Sequence, residues 1–74
     1  MEVAVANTYK AVTKQSGDWW IGWVEEVSGV NCQERTKEEL LESLRRALKE
    51  ALAFNREEAI QAAATDYSEE LLTV

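Results

Sequence analysis

Gly17-Asp18-Trp19-Trp20-Ile21-Gly22-Trp23-Val24-Glu25-Glu26-Val27-Ser28-Gly29 is the stretch on which the fold turns. Between Trp19 and Val27 it holds three tryptophans, one isoleucine and two valines, bounded on both sides by turn residues. That density of aromatic and β-branched side chains predicts a strand. Alternation puts Trp20, Gly22, Val24 and Glu26 on one face and Trp19, Ile21, Trp23 and Glu25 on the other. Both faces are apolar. A glycine in mid-strand lowers the sheet surface and admits a close neighbour, so a helix is expected on the Gly22 face. One helix covers one face only. Trp19, Ile21 and Trp23 are then left open, and we expect them to form a self-association interface, because a large contiguous apolar patch seeks a partner. The opposite assignment, with all three in the core, is the alternative.

Working outward, Thr8 to Gln15 reads as a first strand, with Thr8, Tyr9, Val12 and Thr13 as β-formers. Gln15-Ser16-Gly17-Asp18 reads as the turn that joins it to the second. Ser28-Gly29 breaks the second strand, and Val30 to Arg35 closes a three-stranded meander. Thr36-Lys37-Glu38-Glu39 matches a capping box, in which the threonine hydroxyl receives an amide and the glutamate reaches back to the cap. Leu40, Leu41, Leu44, Ala47, Leu48, Ala51 and Leu52 then recur at three- and four-residue spacing, the stripe of an amphipathic helix. Glu42 and Arg46 stand four apart and are expected to pair. Asn55 is a good N-cap, so Glu57 to Ala64 is either a continuation of this helix or a second, short one. Asp66-Tyr67-Ser68 breaks it, and Glu70 to Val74 is expected to form a short C-terminal strand. The expected class is α+β: a three-stranded antiparallel meander, a long helix packed on one face, and a final strand.

The chain has 74 residues, which makes one domain. A domain of this size buries only about 60% of its extended-chain surface, and natural examples gain support from disulfides, metals or self-association. Cys32 is the only cysteine and there is no histidine. A disulfide framework and a tetrahedral zinc site are therefore excluded within one chain. Self-association remains, and a homo-oligomer is expected. No apolar run approaches the length of a membrane helix, and Met1 to Asn7 lacks the basic and apolar regions of a signal peptide. A lone thiol fits a reducing, cytoplasmic setting.

The net charge is −6. Residues 1–56 are nearly balanced, whereas residues 57–74 carry Glu57, Glu58, Asp66, Glu69 and Glu70 and no base. Such a segment repels phosphate backbones and attracts basic proteins; it also simply aids solubility. Without histidine there is no imidazole base, and Ser-His-Asp or Cys-His arrangements cannot be assembled. Gly17, Gly22 and Gly29 are too scattered for a phosphate loop. Cys32 reads as a structural thiol. No catalytic residues, cofactor or metal ligands are expected; the reading is a binding protein and not an enzyme.

Two segments carry a resemblance. The run Gly17 to Val30, followed by Gln33-Glu34-Arg35-Thr36-Lys37-Glu38-Glu39-Leu40, resembles the HicB-like antitoxin family of toxin–antitoxin systems. That family reads a glycine and paired aromatics in a strand, an acidic turn ending in glycine, a short strand, then Thr-x-x-Glu-Ala/Leu opening a helix. The similarity covers about residues 9–55. Where the family usually has proline before the turn glycine, this chain has Ser28. The resemblance implies a β-β-β-α-β domain like a trimmed ribonuclease-H-like fold without its catalytic acids. It also implies a partner: a small basic, RNA-cleaving toxin of the HicA type, neutralised by covering its active site. The acidic residues Glu57, Glu58, Asp66, Glu69 and Glu70 are the expected partner-binding segment. The residues after about 55 are too few and too acidic for the DNA-binding domain of full-length members, so residues 1–74 read as a single HicB-like domain, with no separate DNA-binding domain and no direct nucleic-acid binding. The alternative is an orphan oligomerising or scaffold domain without a toxin partner.

Overall fold

The computed structural model describes residues 8–73. Three strands, β1 (Ala11–Ser16), β2 (Trp19–Val24) and β3 (Asn31–Glu34), are followed by one helix, α1 (Lys37–Ala63). The strands form an antiparallel meander in the order β1-β2-β3. Ser16 faces Trp19 across a two-residue connection, Gly17-Asp18. Gly17 has φ +63° and stands where a type II′ hairpin turn needs a glycine.

The strand bounds differ from the sequence expectation in instructive ways. β1 begins at Ala11 instead of Thr8, and β2 ends at Val24 instead of Val27. The cause is a diverted hydrogen bond. Glu25 still donates its N–H to Lys10 O at 2.9 Å, but the Lys10 N–H donates to the Glu26 carboxylate at 3.0 Å rather than to a backbone carbonyl. The ladder stops there. β3 is likewise trimmed by one residue at each end, from Val30–Arg35 to Asn31–Glu34.

Helix α1 starts where the capping box predicts. The Glu39 N–H donates to Thr36 Oγ1 at 3.1 Å, and that hydroxyl donates to the Glu39 carboxylate at 3.2 Å. Removing the hydroxyl by Thr36→Ala should lower stability by about 1 kcal/mol; an unchanged thermal midpoint would speak against the cap. Asn55 starts no second helix. α1 runs through it to Ala63, 27 residues in all, because nothing between Lys37 and Ala63 breaks the helix and alanines follow Asn55 at good helical positions. Ala64, with φ +67°, closes the end by donating its N–H to Ile60 O at 3.1 Å. The expected Glu42–Arg46 pair is replaced by Glu42–Arg45 at 2.8 Å. Both side chains are exposed, so the exchange matters little to stability.

The core lies between α1 and the sheet. Val24, Val30, Leu40 and Leu44 are buried, with Trp20, Val27, Cys32, Ala47 and Leu48 packed around them. Gly22 is what lets the layers meet. A Cβ there would stand 2.9 Å from Val12 O and 3.1 Å from both Leu40 Cδ2 and Leu44 Cδ1. The carbonyl belongs to the neighbouring strand and cannot step aside as a side-chain tip can. Gly22→Ala should therefore destabilise by roughly 1–3 kcal/mol, the usual cost of overpacking. A urea midpoint equal to wild type would show that the layers have slack.

The expected C-terminal strand, Glu70 to Val74, is not formed over the described residues. Residues 70–73 have no regular structure, and Val74 lies outside the described residues. Of this segment only the last two residues are β-prone, and among the described residues it pairs with none of the three strands. The architecture is thus β-β-β-α, within the α+β class.

Candidate interaction surfaces

The helix covers the Trp20, Gly22 and Val24 face, as the glycine implies. On the opposite face, the registers align Val12 with Trp23, Lys14 with Ile21 and Ser16 with Trp19 on one side. On the other they align Trp23 with Asn31 and Ile21 with Gln33. Trp19 and Trp23 are 37% and 41% exposed, and Ile21 between them is half-buried. These three residues stand in one row along the central strand, away from the helix. The inverted assignment, with all three in the core, does not hold.

Sequence reasoning missed what surrounds this row. The Arg35 guanidinium lies 4.3 Å from the centre of the Trp19 ring, a cation–π contact. Lys14 is the one charged residue that the three strands place on this face, with Arg35 just beyond the end of β3 and Glu25 just beyond the end of β2. The spacing of Arg35 from Trp19 gives no hint of the contact; only the β2–β3 register brings them together. Lys37 sits over Trp20 on the helix side, 5.8 Å from its ring centre.

The acidic residues gather at the far end of the molecule. Glu57 and Glu58 lie on the last turns of α1, which extend beyond the sheet. The chain then turns back, with Asp66 at φ +59°, and Tyr67 to Glu70 line a shallow groove with Arg56, Ala59, Ile60 and Ala63. Glu69 and Glu70 thereby share this groove with Arg56, the last base in the chain. The final helical turn has no basic residue, so the negative end of the helix dipole adds to the carboxylates. The acidic segment and the tryptophan row are separate surfaces.

No protein-family model, curated protein or solved structure matches this chain.

The remaining chemistry is sparse. Among the described residues no cluster of carboxylates and thiol could hold a metal ion. Cys32, opposite Gly22 on the helix side, has its thiol pushed up by burial and by Glu34, against a smaller opposing effect of Arg46. A raised thiol stays protonated at neutral pH and is a poor nucleophile. Glu34 itself accepts a hydrogen bond from Ser43 Oγ at 2.6 Å, tying β3 to the helix. Among the described residues no helix is long and apolar enough to cross a membrane.

Proposed function

We propose that this chain is a protein-binding module of the HicB-like antitoxin kind, acting in the cytoplasm, which neutralises a small basic RNA-cleaving toxin of the HicA type by covering its active site. The observation that carries the reading is the acidic end. Glu57, Glu58, Asp66, Glu69 and Glu70 project from the part of the molecule that the sheet does not cover, with no base after Arg56. A surface of one sign steers a partner of the other and covers it by charge complementarity. The order of the three strands and the helix supports a trimmed ribonuclease-H-like reading, in which Glu70–Val74 becomes a fourth strand once it has an edge to join. The module binds; it does not catalyse.

The test is co-expression with a HicA-type toxin. Growth should be rescued, and the two chains should co-purify. Binding should weaken as salt is raised, because exposed charges are screened beyond about 8–10 Å at physiological ionic strength. Salt-insensitive binding would move the contact to the tryptophan face, and failure to capture any basic protein would defeat the antitoxin reading. The second reading, an oligomerising scaffold with no toxin, is favoured by the open row Trp19, Ile21 and Trp23. It expects stable self-association with no rescue of growth.

A further inference from the structure

Leu71 and Leu72 are 99% and 89% exposed, the most exposed large apolar side chains among the described residues. Among the described residues, β1 is an edge strand that pairs on one side only, with β2. The Glu25 N–H to Lys10 O bond and the β1–β2 register decide which groups line its outer edge. Val12, Lys14 and Ser16 turn their backbone groups toward β2, so Ala11, Thr13 and Gln15 turn theirs outward. Beside this edge, on the helix side, lies a groove of about 360 Å³ whose lining includes Tyr9, Ala11, Val24, Leu41, Arg45 and Leu48.

We propose that residues Leu71–Thr73 of a second copy of this chain pair with the outer edge of β1, adding a strand to the sheet and seating Leu71 in the groove. Three features of the two surfaces agree. Successive residues of a strand point to opposite faces, so Leu71 enters the groove with Thr73 on the same side, while Leu72 extends the open face beside Val12. A sheet that is apolar on both faces takes a strand that is apolar on both faces. The charges match as well: Lys10 and Lys14 stand on and just before β1, and Glu69 and Glu70 directly precede the leucines.

Distance selects a second copy over the same chain. Thr13 is paired with Gly22, and Gly22 abuts Leu44, so the middle of β1 lies level with Leu44. The returning tail reaches back only as far as Arg56, which is roughly 18 Å from Leu44 along the helix axis at 1.5 Å per residue. From Glu70 to Leu72 an extended chain spans only about 7 Å. The segment falls short of its own β1. A reciprocal exchange about a two-fold axis satisfies both edges and buries both pairs of leucines. This contact lies at the β1 edge and needs no toxin, but it draws on Glu69 and Glu70, which the proposed function gives to the partner; linkage between two copies with no toxin present tests it apart from that reading.

Cysteine pairing tests it in a Cys32→Ala background. Chains carrying Ala11→Cys or Thr13→Cys are mixed with isotope-labelled chains carrying Thr73→Cys, oxidised, and read by mass spectrometry of the linked peptides. The expected result is a linkage from 73 to 11 or 13 between a labelled and an unlabelled chain. Linkage confined to a single chain in the double variant Ala11→Cys/Thr73→Cys would overturn the exchange, as would the absence of any 73–11 or 73–13 linkage. As a second measurement, Leu71→Asp with Leu72→Asp should leave helix content unchanged, since both side chains are exposed. It should weaken association by at least about tenfold. Unchanged association would also overturn the proposal.

Discussion

Truncating Leu40 to alanine should bring the protein close to unfolding. Among the described residues Leu40 is the one fully buried side chain, with none of its surface exposed, and only Val24, Val30 and Leu44 join it in the buried core. It also sits against the bare backbone of Gly22, where no side chain can move in to fill the space. A buried leucine replaced by alanine costs about 2–5 kcal/mol, most where the site cannot collapse. Whole domains are stable by only about 0.05–0.15 kcal/mol per residue, so at this length the loss is a large share of the total. Urea denaturation followed by tryptophan fluorescence measures it. Leu41→Ala is the control: Leu41 is next in sequence but 37% exposed, and its loss should be clearly smaller. Equal losses at the two positions would mean that the core is not where Leu40 and Gly22 meet.

Replacing Trp23 by lysine should have its largest effect on assembly and little on the fold. Trp23 is 41% exposed and lies on the face away from α1, so its substitution opens no cavity beneath the helix. Large aromatic side chains are common anchors of protein interfaces. A lysine there adds a third cation to a face that already carries Lys14 and Arg35. If two copies meet through Trp19, Ile21 and Trp23, the variant should sediment as a smaller species than wild type, with unchanged helix content by circular dichroism. Wild type running as a clean monomer at micromolar concentration would sink the interface, and so would a variant whose assembly is unaltered.

Much of this was legible in local pattern. The Trp19–Val24 strand, the Gly17-Asp18 turn and the Thr36 cap each depend on residues close together in the chain, so spacing alone reveals them. The face that takes the helix was legible too, because a glycine between bulky neighbours marks a close approach. The ends of β1 and β2 were not. They depend on the Glu26 carboxylate intercepting the Lys10 N–H sixteen residues away, and no propensity scale sees such a contact. The Asn55 signal misled for a related reason. A cap residue ends one helix and begins another only if the chain turns there, and nothing in the surrounding sequence forces a turn.

The candidate surfaces divide the same way. The tryptophan row follows from period-two alternation, and the acidic segment from composition, so both were visible as residues. The stacking of Arg35 on Trp19, and the groove that Glu69 and Glu70 share with Arg56, needed the register and the backward turn of the tail.

By itself, then, the sequence determined the order of three strands and a helix, the helix start and the sheet face it covers, because these follow from short-range periodicity and local hydrogen bonding. Only the tertiary structure decided where the strands stop, that α1 runs unbroken past the sheet, and that Leu71 and Leu72 are left without cover. Those outcomes depend on which distant groups come within hydrogen-bonding or packing distance, and on whether an extended segment finds an edge to pair with. A strand is stable only beside another strand. The residues of the tail carry some tendency to form one, but the position of the nearest free edge is a property of the folded molecule.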